Sequence, residues 1–132
     1  MNIDKCEILR ISKNIAILGL SSNSSRISRY IAGYLVNSGY NVVGVNPNIN
    51  FTDADGIIVY NNLLEVPFAI DIVNVFRKSE DIPHLIEDVL KVKPACFWLQ
   101  QGIRNDLAVK PLIERNILVF QNSCIMVDHS YC

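Results

Sequence analysis

Along its whole length the chain alternates between short apolar runs and stretches with helical spacing, and polar turns follow most of the runs. This alternation constrains the fold more than any other feature. A short run with no polar residue in alternate positions suits a strand buried on both faces. Such strands belong to parallel sheets covered by helices. The reading is therefore an α/β protein: a three-layer sandwich around a parallel sheet of about five strands, joined by right-handed crossovers.

The runs are residues 15–20, 41–45, 57–60, 70–76, 95–99 and 116–120. Between them lie the helical patterns. In residues 1–12, Ile3, Cys6, Leu9 and Ile11 recur at three-to-four spacing. Residues 27–38 place Ile27, Ile31, Ala32 and Leu35 on one face, and Gly39 is suited to ending that helix. Ser79 suits the N-cap of a helix running from Glu80 or Asp81 to about Lys91, with Pro83 in its first turn and Leu85, Ile86, Val89 and Leu90 facing inward. A last helix starts at Asn105 or Asp106 and runs to about Arg115, with Leu107, Ala108, Leu112 and Ile113 inward. Residues 48–56 read as loop. Residues 61–65 read as a turn and one helical turn, ended by Pro67. The segment after residue 120 has no clear period.

Size and charge narrow the function. The 132 residues suit a single domain spanning residues 1–132, and half of them are hydrophobic, enough for a core. A formal net charge of −1 argues against nucleic-acid binding through bulk positive charge. No apolar run approaches the roughly 20 residues of a membrane-spanning helix. Asp4 and Glu7 interrupt the first apolar segment, so it does not read as a signal peptide. The four cysteines, Cys6, Cys96, Cys124 and Cys132, form no Cys-x-x-Cys pair and read as reduced thiols in a cytoplasmic protein. His84 and His129 lack finger spacing, which leaves no zinc site to expect. The sequence leaves the oligomeric state open.

In a doubly wound sheet, ligands bind beyond the carboxyl ends of the strands. Four turns stand there. The first, residues 19–28, opens on Gly19, which lets the backbone turn sharply. Ser21, Ser22, Ser24 and Ser25 bring hydroxyls, and Arg26 and Arg29 bring charge beside a helix N-terminus, an arrangement suited to phosphate. It lacks the full G-x-G-x-x-G, and an ordinary strand-to-helix turn has much the same composition. The second turn, residues 46–48, holds Asn46-Pro47 where NAD-binding folds carry an acidic residue for the ribose, which argues against NAD. The third is Phe76-Arg77-Lys78-Ser79, an aromatic ring beside two cations. The fourth is Gln100-Gln101-Gly102, followed by Arg104.

Four segments in this order resemble the small stand-alone CoA-binding proteins. They are residues 15–21, 39–47, 71–79 and 97–105, with Gly19, Asn46-Pro47, Phe76-Arg77-Lys78-Ser79 and Gln100-Gln101-Gly102 as their cores. The fold of that family is similar to the CoA-binding domain of the succinyl-CoA synthetase alpha subunit. The resemblance implies a Rossmann-like domain that binds a small nucleotide ligand, coenzyme A or an acyl-CoA. By position it would put Gly19, Ser21 and Arg26 at the pyrophosphate and Asn46 and Pro47 along the nucleotide cleft. Phe76, Arg77 and Ser79 would lie near the adenosine, with Gln100 and Gly102 closing the far side.

The synthetase needs a phosphorylatable histidine and further domains, for which this chain is too short. His84, beside Pro83, suits a surface position. His129 follows Asp128 with no nucleophile near it in sequence, and Cys124 suits a packed thiol. The expectation is a binder rather than an enzyme. Two alternatives stay open: an NAD(P)-linked or other nucleotide-cofactor enzyme on the same fold, and a regulatory module that responds to its ligand.

Overall fold

A computed structural model describes residues 4–47, 53–54 and 56–132. Strands β1 (Asn14–Leu18), β2 (Asn41–Val45), β3 (Asp53–Ala54), β4 (Ile57–Tyr60), β5 (Ile72–Val75), β6 (Cys96–Leu99) and β7 (Leu118–Phe120) form one sheet in the order β3-β4-β2-β1-β5-β6-β7. β3 pairs antiparallel with β4 at one edge. The other six strands are all parallel, one more than the expected five or so. Numbered along the chain, those six stand in the order 3-2-1-4-5-6. This is the Rossmann order, and it reverses between β1 and β5.

Helices cover both faces. α1 (Lys5–Ile11), α2 (Ile27–Asn37) and α5 (Ile125–Ser130) pack on one side, where Leu9, Ile17, Ile31, Leu35, Trp98 and Ile125 share a core. α3 (Ile86–Val92) and α4 (Asp106–Glu114) cover the other, over Val43, Val73, Phe97 and Leu99. Alternate residues of β6 supply the two cores: Phe97 faces one and Trp98 the other, both fully buried. Each large apolar side chain buried in this way contributes about 1.5–3 kcal/mol. Trp98→Ala removes the largest of them, at a cost of about 3–5 kcal/mol.

Several local expectations give way to tertiary context. The helix expected from residue 80 is a 3-10 stretch, Ser79–Leu85, followed by α3. Pro83 has no N–H to offer an α-helical ladder, and the Ser79 hydroxyl is occupied by the Arg104 N–H at 2.9 Å instead of capping. On α4 the inward residues are Val109 and Leu112, while Leu107 and Ile113 are 82% and 55% exposed. Ile27 lies in the first turn of α2 and projects into solvent, and on α1 Ile8 and Leu9 are buried while Ile11 is exposed. Ile3, in the first helix pattern, lies outside the described residues. The last strand begins later than the apolar run at residues 116–120 implies: Asn116 adopts φ +64° in the turn that ends α4, and β7 starts at Leu118. Within the loop expected at residues 48–56, residues 53–54 are strand; the others, except Gly56, lie outside the described residues, as does Asn48 of the second turn. The aperiodic last segment contains α5.

Two cysteines also differ from expectation. Cys6 and Cys132 form a disulfide, while Cys96 and Cys124 are free thiols. Nothing in their spacing shows this pairing. α5 packs back on α1 and brings the two Cα atoms to 5.5 Å, within bridging range. Among the described residues no helix is long and apolar enough to cross a membrane.

Candidate functional site

The strand order reverses between β1 and β5, and there the first and third turns touch. Gly19 ends β1 with φ +93°, a conformation that favours glycine. A Cβ at this position would lie 2.5 Å from the Phe76 carbonyl oxygen and 3.2 Å from Cδ of Arg77. The absence of a side chain therefore brings the two turns together. The Gly19 N–H donates to Val45 O at 2.8 Å, and the Phe76 N–H donates to Leu18 O at 2.8 Å, tying the ends of β2, β1 and β5.

Beyond Gly19 the first turn is bonded mainly to itself. Ser28, buried on α2, accepts the Ser21 N–H at 3.1 Å. Ser21 Oγ accepts the Asn23 N–H at 3.0 Å, and Asn23 Oδ1 accepts both the N–H and the hydroxyl of Ser25. Arg29 reaches back to the carbonyls of Ser21 and Ser22 at 3.3 and 3.1 Å. The hydroxyls of Ser21 and Ser25 thus hold the turn's shape. Arg26 is exposed at the N-cap of α2, and its own side chain makes no capping hydrogen bond. α2 also has no acidic residue of its own in its first turn to offset the positive end of its dipole.

In the second turn, Asn46 Nδ2 donates to Leu20 O at 2.8 Å, so the carboxamide ties the second turn to the first. Pro47 is exposed and lines a small hollow of about 140 Å³. Leu18, Val45 and Leu63 give that hollow apolar walls, and Asn61 and Asn62 stand at it from the end of β4. Asp88 of α3 also lines it.

A larger open hollow of about 640 Å³ lies between the third and fourth turns, lined by Phe76, Arg77, Lys78, Ser79, Gln101 and Gly102 among others. Arg77 belongs to both hollows. Its guanidinium is 3.5 Å from Asp81 Oδ2, and both side chains are about one-third exposed. Ser79 joins the third turn to the fourth, accepting the Arg104 N–H at 2.9 Å through its hydroxyl and the Asn105 side-chain amide at 3.0 Å through its carbonyl. Gly102 has φ +85°, and its N–H donates to Asn122 Oδ1 at 2.7 Å. Arg104 is exposed and paired with Asp106 at 3.0 Å.

The structure sorts the ten residues singled out from sequence. Phe76, Arg77, Ser79 and Gly102 line one hollow and Pro47 lines the other, with Gly19 packed against Arg77 between them. Asn46 and Ser21 shape the backbone of the turns. Arg26 stands outside both hollows, beside the first turn. Gln100 does not face the larger hollow. It is 4% exposed, and its Oε1 accepts the Ile125 N–H at 2.9 Å, so it holds the start of α5 while Gln101 lines the hollow. Strand alternation accounts for this, since Gln100 lies two residues after Trp98 and shares its side of the sheet. Sequence reasoning missed Asn61, Asn62 and Asp88. The first two follow a strand, and the strand-end rule applied to the other turns would have found them. Asp88 enters from a helix face and leaves no such signal.

The fold is that of a Rossmann-like domain, with a cleft at the reversal of strand order. The chain belongs to the CoA binding domain family, which it matches over residues 13–130. It is 40% identical over 124 residues to the uncharacterized protein YneT of Bacillus subtilis (strain 168), covering 94% of this chain and 90% of that one. A Thermus thermophilus protein of known structure, cell-free ID.343, is 33% identical with a TM-score of 0.92, and 98% of each chain is covered. The dinucleotide-forming acetyl-coenzyme A synthetase 1 of Ca. Korarchaeum cryptofilum, in its apo form, shares the fold at 19% identity and a TM-score of 0.71. That match takes in 87% of this chain and 28% of the synthetase.

Proposed function

We propose that this protein binds coenzyme A or a small acyl-CoA in the cleft at the ends of β1, β2, β5 and β6, and that it does so without catalysing a reaction on it. One observation carries the reading beyond family membership: the contact of Gly19 with Phe76 and Arg77, which sets a cation between a small apolar-walled hollow and a larger open one. A CoA-class ligand has the matching parts in series, a flat base, a charged phosphate group and a long polar arm. The small hollow, with its leucine and valine walls and two asparagine amides, suits the base. Arg77 suits the phosphates, because a guanidinium makes charge-assisted bonds to them. The larger hollow is open enough for the arm.

The binding reading favours CoA over NAD at the end of β2. A dinucleotide site for NAD uses a carboxylate there for the ribose hydroxyls. This chain has Asn46, whose amide is bonded to Leu20 O. The non-catalytic part is supported by where the reactive side chains stand. Cys124 packs on the α2–α5 side, and burial pushes the Cys96 thiol above its ordinary range. His129 is hydrogen-bonded to Tyr34 at 2.8 Å, and neither histidine lines the two hollows.

Calorimetric titration with CoA, acetyl-CoA, NAD and NADP tests the binding reading. Heat with the first two and none with the last two is expected; tight NAD or NADP binding with no response to CoA would sink it. Incubation with acetyl-CoA and assay of released thiol tests the second part. A steady release proportional to protein concentration would make the protein an enzyme.

A further inference from the structure

Cys6 and Cys132 are both exposed, and their disulfide spans 126 residues of sequence. Cys6 lies in α1 and Cys132 follows α5. α5 has six residues, too few to be stable as a helix without tertiary contacts. Its contacts come from two directions. Near Cys6, the ammonium of Lys5 lies 3.2 Å from Asp128, donates to Ser123 Oγ at 2.9 Å, and sits over the rings of Trp98 and Phe120. From the cleft side, Gln100 Oε1 accepts the Ile125 N–H, Trp98 Nε1 donates to Ser123 O at 2.9 Å, and Asn122 Oδ1 accepts the Gly102 N–H. Residues 122–132 are therefore bonded to the fourth strand-end turn at one end and covalently to α1 at the other.

We propose that the Cys6–Cys132 disulfide is a thiol-reducible latch that sets how firmly α5 and the turn at residues 100–102 are held. Cys6 and Cys132 are both exposed and line one open hollow, which gives a small thiol an approach to the bond, and exposed disulfides are the labile class. A dithiol reductant completes the exchange. One of its thiolates attacks one sulfur of the pair, and the other cysteine leaves as thiolate and takes a proton from water. The second thiol of the reductant then attacks its own sulfur in the mixed disulfide and releases the remaining cysteine. Two electrons and two protons pass to the protein, and the reductant closes into a cyclic disulfide. With the bond open, α5 is held only by its non-covalent contacts, and the Gly102 turn loses a rigid neighbour. This goes beyond the proposed ligand and does not depend on it.

Hydrogen-exchange mass spectrometry of the full chain, air-oxidised and after dithiothreitol, provides the test. Reduction should add two hydrogens to the intact mass and speed amide exchange in residues 123–132 by roughly tenfold or more, with a smaller increase at residues 100–103. The midpoint of thermal unfolding should fall by about 5–15 °C, given the length of loop the bond closes. Cys132→Ser should exchange like the reduced protein and be indifferent to dithiothreitol, whereas Cys124→Ser should respond as the parent does. An oxidised protein that gains no hydrogens on reduction overturns the proposal. So does unchanged exchange in residues 100–103 and 123–132 after reduction, or loss of the response in Cys124→Ser.

Discussion

The two faces of the sheet are built differently. The side under α3 and α4 is an apolar core whose upper edge, at Leu18, Val45 and Leu63, opens into the smaller hollow. The side under α1, α2 and α5 holds the four buried polar residues recorded among the described ones: Ser12, Ser28, Asn74 and Gln100. The Tyr34–His129 hydrogen bond lies on this side, as does the disulfide. One side supplies the apolar walls of the smaller hollow. The other supplies the bonds that hold the turns in position: Ser28 fixes the first through the Ser21 N–H, and Gln100 joins the fourth to α5. A site residue and a supporting residue can thus be neighbours in sequence, as Gln101 and Gln100 are, and face opposite sides.

The sharpest way to break this picture is at the junction of the two sides. Gly19→Val adds a side chain at φ +93° where even a Cβ would meet the Phe76 carbonyl at 2.5 Å. Backbone must move, and the change should cost about 3 kcal/mol or more in denaturant unfolding. CoA binding should be lost with it. A valine variant as stable as the parent would mean that the β1 and β5 ends are not held together in this way.

Arg77→Ala separates binding from folding. The Arg77–Asp81 pair is one-third exposed and worth at most about 1 kcal/mol, so the unfolding midpoint should barely move. Loss of a charge-assisted contact to phosphate should raise the CoA dissociation constant about tenfold to thirtyfold, near 1.4–2 kcal/mol. Arg26→Ala should weaken binding less, because Arg26 stands in solvent beside the first turn. If the two variants change affinity equally, the charge that matters is not localised at the shared wall of the hollows.

The smallest expected effect lies on the polar side. Asn74 pairs in register with Ile17 and Trp98, is fully buried, and neither its Nδ2 nor its Oδ1 has a hydrogen-bond partner among the described residues. A buried unsatisfied amide carries a desolvation cost, so Asn74→Leu, close in shape, should stabilise the protein by about 1 kcal/mol. Thermal unfolding of the ligand-free protein measures it. A destabilised Asn74→Leu would show that the amide has a structural role these contacts do not reveal.

Much of the architecture was legible because it depends on local period. The apolar runs from residues 15–20 to 95–99 had to be buried on two faces, and the helical stretches between them forced parallel pairing and crossovers. Gly19 and Gly102 were legible as turn residues, since each has the positive φ that a side chain disfavours. Asn46 was legible as a non-acidic strand end. The sequence also carried the family through four spaced motifs.

The rest required three dimensions. Which residues of α4 face inward depends on how the helix is rotated on the sheet, and this buries Val109 and Leu112 while exposing Leu107. Which glutamine meets the cleft depends on strand alternation carried one residue past β6. Arg77 borders two hollows only because Gly19, 58 positions earlier in number, lets β1 approach β5. The disulfide depends on α5 folding back onto α1, a contact between residues 126 apart that no local pattern records. Period and turn chemistry act over a few residues and so can be read along the chain, but a ligand wall or a cross-link is made by whichever distant segments the packed sheet and helices bring within a few ångströms.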